Sequence, residues 1–223
     1  MTYFDDDVSS SDSLHFESFR LAQYVREDRK LEGDIYRAIR VWDVTFVLEE
    51  QNITGLHATC LKAVLVDPDL EDWHISLFLR DQHLAFSVSP VDERGHELSL
   101  QYICIVEWQS VEDRSLDYPR TIIRTYLDSY EIHILPNNRI SAWLSPSLLV
   151  YDYSTLRYTD HMPAAHPGYL HLHLTPSSEC SFVSCNLHTP ISAPFDAQGV
   201  VQFLVVARDS AQSVVIPDDF GTH

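Results

Sequence analysis

Apolar positions begin to recur with a definite period from Asp34 onward. Ile35, Ala38, Ile39 and Trp42 fall at helical spacing behind an aspartate suited to capping, which predicts a helix over 34–43. Ile53, Leu56, Cys60 and Val64 keep that spacing and predict a second helix over 53–65, closed by Asp67-Pro68. Upstream, Phe16 to Val25 fits neither period cleanly and is left between a strand and a helical turn, with a strand preferred. Downstream the period becomes two. Ile75, Leu77 and Leu79 alternate with His74, Ser76 and Arg80, and Leu98, Leu100, Tyr102, Cys104, Val106 and Trp108 form one face of a long strand, with a turn at Asp92-Glu93-Arg94-Gly95 between them. Tyr130–Leu135 and Arg139–Leu144 form a hairpin through Pro136-Asn137-Asn138, residues that fix φ or tolerate left-handed backbone. Pro163, Pro167 and Gly168 then interrupt the chain before strands at 169–175, 181–187, 200–207 and 213–216.

The fold expected from this pattern is α+β: a twisted antiparallel sheet, two N-terminal helices packed on it, and a β-rich C-terminal extension. Residues 1–14 form an acidic, disordered tail, 15–155 an α+β domain, and 156–223 the extension packed on it. No internal repeat is evident. The four tryptophans are read as core residues, and Trp42, closing the apolar stripe of the first helix, is expected to be buried against the 98–108 strand.

Composition narrows the functions. With 45% hydrophobic and 22% charged residues, the bulk of the chain has enough apolar surface to bury a core. The 33 acidic residues outnumber 15 basic ones, and a net charge of −18 repels nucleic acid and anionic lipid on average. Direct sequence-specific nucleic-acid binding is therefore not expected. Lys30 and Lys62 are the only lysines, and beyond Arg139 only Arg157 and Arg208 remain, so any basic patch is local to the earlier part. Cys60, Cys104, Cys180 and Cys185 lack paired zinc spacing and are read as buried free thiols. With no secretory signal and no run of about 18 apolar residues, a cytosolic or nuclear protein is expected, or one peripheral to a membrane. The triplet Asn52-Ile53-Thr54 matches a glycosylation acceptor only by coincidence in that setting.

Two constellations carry candidate chemistry. His74-Ile75-Ser76 and His173-Leu174-Thr175 each place a histidine two residues before a hydroxyl in a predicted strand. They resemble the paired motifs of 2H phosphoesterases, and the resemblance implies His74 and His173 as general acid and base with Ser76 and Thr175 holding the phosphate. Pro176 directly after the second motif, and the lack of helices between the two, depart from that family; the favoured reading is that His74 and His173 are not a catalytic pair. His171 and His173 share a strand face, with Glu179 or His188 as a third metal ligand, in slight likeness to a cupin motif. A solvated strand face is the preferred reading there, so neither a metal nor a cofactor is expected. No phosphate loop, nucleophile elbow or Cys-His pairing is present.

The order of elements from about 16 to 145 resembles rhabdovirus matrix proteins, most of all the lyssavirus-like branch. The likeness is carried by Asp34-Ile35-Tyr36-Arg37-Ala38-Ile39-Arg40-Val41-Trp42-Asp43, a short helix ending in an aromatic-acidic pair, then by the Gly55–Val66 segment. Glu71-Asp72-Trp73 leading into the 74–80 strand continues it, as does the 98–108 strand. The acidic N-terminus departs from the family's basic, proline-rich arm, and there is no PPxY motif. The resemblance implies a non-enzymatic viral matrix or assembly protein that self-associates, condenses the nucleocapsid, supports virion assembly and budding, and modulates host gene expression. Its implied partners are a second copy of itself, the viral nucleocapsid and the envelope glycoprotein tail, with peripheral membrane contact, in the virion and host cytoplasm. Self-association is expected to run from Asp5, Asp6 and Asp7 to the arginines Arg20, Arg26, Arg29, Arg37 and Arg40 of another subunit. The alternatives are a viral or host-directed interaction module with an acidic binding surface, and the 2H-type phosphoesterase.

Overall fold

The computed structural model describes residues 2–5, 18–28, 35–49, 52–66, 70–71, 76–90, 101–112, 115–125, 131–144, 147–156, 178–181, 194–197, 200–207 and 210–216. Among these there are sixteen strands, one 3-10 turn at Trp108–Ser110, and no α-helix. The strands form four antiparallel sheets, each assembled from strands adjacent in the chain. The first sheet takes β1 (Thr2–Asp5), β2 (Ser18–Asp28), β3 (Ile35–Glu49) and β4 (Asn52–Leu65) in that order. In the second, β6 (Leu77–Arg80) and the two-residue β5 (Leu70–Glu71) both pair with β7 (His83–Pro90), which continues to β8 (Gln101–Glu107) and β9 (Thr121–Thr125). The third is β10 (Glu131–Leu135), β11 (Arg139–Leu144), β12 (Ser147–Asp152) and β13 (Ser178–Ser181). The fourth is β14 (Phe195–Ala197), β15 (Val200–Ala207) and β16 (Ser210–Ile216).

These sheets stack face to face in chain order, joined by three buried apolar clusters. Ala22, Ile39, Val41 and Val64 of the first sheet meet Leu79, Leu84, Phe86, Cys104 and Val106 of the second. On the second sheet's other face, Phe78, Ala85, Ile103 and Ile105 meet Ile132, Ile134, Ile140 and Tyr151 of the third. Leu135, Trp143, Leu148 and Val150 then leave the third sheet's far face to meet Val201, Phe203 and Val214 of the fourth. The first strands β1, β6 and β10 lie against one another, whereas on the outer side the approach between the first two sheets is made by the 3-10 turn against β4. The stack is therefore a fan. Up-and-down sheets repeated radially are the plan of propeller blades. The repetition is one of connectivity, which is why no sequence repeat announces it.

The α+β expectation is corrected by this architecture. The helices expected over 34–43 and 53–65 are the long strands β3 and β4, paired residue by residue from Ala38↔Leu65 to Glu49↔Asn52, with bulges at Val41/Trp42 and Val47/Leu48. Ile39 and Val41 of β3 face the second sheet, while Ala38, Trp42, Val44 and Phe46 line the opposite face. A strand apolar on both faces has no period of two, and residues at any chosen spacing can be picked from it to mimic a helix. Trp42 accordingly points away from the strand it was expected to cover. Half-buried Trp42 contrasts with Trp108 and Trp143, which are core residues. Residues 2–5, assigned to the tail by composition, run as β1 along β2. β13 pairs with β12, so the expected boundary at 155/156 falls inside the third sheet.

The hairpin at 136–138 matches its sequence signal: Asn137 and Asn138 hold φ of 60° and 54°, and β10 and β11 pair in register from Leu135↔Arg139.

Ile103 is fully buried between the second and third sheets, so Ile103→Ala should cost about 2 to 5 kcal/mol in urea unfolding. Far-ultraviolet circular dichroism of the intact chain should show a β spectrum. A helical double minimum, or an unchanged urea midpoint for the variant, would contradict the stacked-sheet core.

Candidate functional site

One end of the stack gathers the turns of the second and third sheets, and side chains tie these turns together. Asp81, at φ 51°, turns the chain from β6 into β7. Trp108 donates its indole N–H to the Asp81 carbonyl (3.0 Å) and its backbone N–H to the Gln82 carbonyl (3.1 Å). The backbone N–H of Tyr153 donates to the Asn138 carbonyl (2.9 Å), fastening the end of the third sheet to its own hairpin turn. Arg80 bridges the two sheets, its Nη1 donating to the Ile134 carbonyl at 3.2 Å.

Among the described residues, two arginines at this end are buried. Arg120 is buried, with its guanidinium 3.9 Å from the Tyr118 ring centroid, and donates to the Leu116 and Tyr118 carbonyls. Arg139 is also buried, and its Nε donates to the Pro136 carbonyl at 3.1 Å. Hydrogen bonds from a charged donor to carbonyls hold a loop more firmly than neutral ones. Outward, the same turns expose Asp81, Glu112, Asp117 and Asp152, with Leu116 as an exposed apolar side chain among them. Among the described residues this surface is acidic and carries one large exposed apolar side chain, Leu116.

A second feature lies inside the fan. His133 of β10 is buried between Phe78 of the second sheet, edge-on at 4.9 Å, and Phe203 of the fourth, at 5.6 Å. Burial pushes its imidazole below the ordinary histidine range, opposed by the charge of Glu131. The nearest approach of that pair, Nε2 to Oε2, is 3.7 Å, too long for a hydrogen bond, so Glu131 acts mainly through its field. Arg139 and Asp152 stand opposite one another across β11 and β12 on the same face as His133. Burial also pushes the Cys104 thiol up to about 12, against the lowering influence of Arg120, and keeps it an unreactive core group.

The residues singled out from sequence scatter. Ser76 is buried; its backbone N–H donates to Ser87 Oγ at 3.1 Å and its carbonyl accepts from the Ser87 N–H at 3.1 Å, which places it at the entrance to β6. His74, His173 and Thr175 lie outside the described residues, as do His171 and His188. Glu179 is exposed on β13 and accepts hydrogen bonds from the hydroxyls of Ser147 (2.9 Å) and Ser181 (3.3 Å). Among the described residues no group of His, Cys, Asp or Glu is placed to hold a metal ion. Cys60, expected to be buried, is exposed on β4.

The arginines assigned to self-association do not form one patch. Arg20, Arg26 and Arg37 sit on the face of the first sheet turned to the second, while Arg40 sits on the opposite face. Arg20 lies 6.0 Å from the Trp108 ring, within cation–π range. Asp5 stands directly across from Arg20 within the same chain. Asp6, Asp7 and Arg29 lie outside the described residues. Sequence reasoning missed His133, Arg120 and Arg139. For His133 the signal was available: a histidine flanked by Ile132 and Ile134 in a strand covered on both faces has no exposed side to occupy.

The buried imidazole gives a pH dependence of defined sign. Its folded-state pKa lies below the ordinary 6.5, so the unfolded chain takes up the proton first. The stability tied to neutral His133 is complete above about pH 6.5 and is lost as pH falls below it. Urea midpoints between about pH 5 and 7.5 should fall less steeply for His133→Gln than for the wild type. Parallel slopes for the two proteins would show that the ring ionises freely in the fold.

No family model matches the chain and no curated protein matches it.

Proposed function

We propose that this protein is a non-catalytic binding scaffold whose turn-bearing end captures a basic, arginine- or lysine-rich segment of a protein partner. The observation that supports this reading is the division of charge at that end. Arg120 and Arg139 direct hydrogen bonds to turn and loop carbonyls and Arg80 to a carbonyl of β10, while Glu112, Asp152 and the side chain of Leu116 are exposed. A pre-organised acidic surface attracts cationic segments through complementarity of charge and loses little entropy on binding, because its turns are already fixed. Leu116 supplies an apolar contact that charge alone lacks, and such a contact supports specificity. The net charge of −18 adds a long-range attraction for the same class of partner.

The matrix-type role implied by the resemblance to rhabdovirus matrix proteins rested in part on a helix over 34–43. That segment is β3, so the reading loses that support.

Fluorescence anisotropy with a labelled oligoarginine peptide tests the proposal. The peptide should bind, weaken as salt rises, and be outcompeted by unlabelled oligoarginine but not by oligoglutamate. Glu112→Gln/Asp152→Asn should weaken binding about tenfold, roughly 1.4 kcal/mol. Leu116→Ser, which leaves the net charge unchanged, should weaken it as well. Equal affinity for the wild type and both variants would reduce the effect to bulk attraction and overturn the assignment of this end as the site.

A further inference from the structure

Among the described residues, most of the large apolar side chains left exposed lie on one hairpin. Val47 of β3 and Ile53, Leu56 and Leu61 of β4 are 45%, 64%, 58% and 43% exposed. Every residue from 56 to 61 is exposed. Successive side chains point to opposite faces of a strand, so neither face of this stretch is covered. β4 is also the last strand of its sheet, and among the described residues no strand pairs with its far edge. Soluble proteins blunt such edges with charged side chains, proline or a covering element. Residues 55–60 contain neither a formal charge nor a proline, and all 33 acidic residues of the chain lie outside 51–66. The edge does have a bulge on either side of this run. Val41↔Lys62 followed by Trp42↔Cys60 leaves Leu61 as an extra residue, and Val47↔Gly55 followed by Leu48↔Ile53 leaves Thr54. Bulges bend a strand and interrupt its ladder, and between them 55–60 is a regular run of ordinary strand length.

We propose that two copies of the chain pair antiparallel through the far edges of β4, about a two-fold axis level with Ala58, so that their first sheets become one continuous sheet. Residues opposite one another in an antiparallel pair share a face, so the axis must lie level with a residue. Ala58 as that residue sets Leu56 opposite Cys60 of the second copy and His57 opposite its Thr59. Within each copy Leu56 stands opposite Phe46, Ala58 opposite Val44 and Cys60 opposite Trp42. The pairing thus joins apolar rows across the contact, Phe46 and Leu56 of one copy running on to Cys60 and Trp42 of the other. An axis level with His57 would instead set imidazole against imidazole. Charge selects a second copy of this edge as the occupant. Chains of net charge −18 repel one another on average, whereas 51–66 carries no acid and Lys62 as its one formal charge. Lys62 lies to opposite sides of the axis in the two copies. His57 and Thr59, on the side of the run turned to the second sheet, are exposed and leave room for the neighbouring stack. Each copy uses this edge once, and the contact closes at two.

Sedimentation equilibrium on the full chain and on Ala58→Lys and Ala58→Glu variants tests this. Both substitutions are at an exposed position, and retention of the wild-type circular dichroism spectrum shows that the variants fold. The wild type should pass from the chain mass of 25.6 kDa to twice that mass as its concentration rises. Each variant alone should stay monomeric, because the axis sets like charges face to face. An equimolar mixture of the two should regain the dimer, because the axis then sets opposite charges together. Amide hydrogen exchange gives a second readout on the unaltered chain. Alternate N–H groups of 55–60 point to the far edge, and they should exchange more slowly in concentrated than in dilute solution. Added salt should tighten the dimer by screening the repulsion between two acidic chains. A wild type monomeric at every concentration, a variant that dimerises alone, a mixture that stays monomeric, or exchange at 55–60 independent of concentration would each overturn the proposal. So would a dimer that weakens with salt, or open polymers, which would favour pairing of β4 with the β16 edge of the next copy.

Discussion

Ile103, Cys104 and Ile105 are consecutive residues of β8, and all three are buried. A strand achieves this only when its sheet is covered on both faces, because successive side chains point to opposite sides. The second and third sheets both meet this condition, and each can do so only if a further sheet lies beyond it. Stacking of complete meanders in chain order follows from that requirement. The fan follows from the first strands lying close together while the outer ones spread.

The same constraint governs the polar groups. At the inner edge of the fan the third sheet meets both neighbours, and the residue there, His133, has aromatic rings on two sides and a carboxylate nearby. At the turn-bearing end the backbone carbonyls of tight connections need donors. Arg80, Arg120 and Arg139 supply them from within. Among the described residues the guanidinium groups of Arg120 and Arg139 are spent inside, while Glu112 and Asp152 are exposed. Fold and candidate function are thus linked through one set of hydrogen bonds.

What the sequence revealed was local. The Pro136-Asn137-Asn138 turn, the strand at 200–207 and the alternation around Leu77 and Leu79 were readable because each signal is complete within a few residues. The segments that became β3 and β4 were misread because their apolar residues lie on both faces. Ile35, Ala38, Ile39 and Trp42 are a subset of a longer run that also includes Val41, Val44 and Phe46. Those added residues are what a strand with two apolar faces needs and a one-sided helix does not. The candidate binding end was not legible, since it depends on arginines from three different strands or loops reaching carbonyls fixed only by the stack. The resemblance to matrix proteins was carried in part by a helix expected over 34–43, and that segment is β3.

The central claim is that the third sheet lies between the second and the fourth. Nuclear Overhauser contacts of the His133 ring measure this most directly, because its imidazole protons lie within reach of Phe78 from one neighbour and Phe203 from the other. The account predicts cross-peaks from His133 to both phenylalanine rings in the same molecule. Contacts to only one of the two rings, or to neither, would contradict the stacked arrangement.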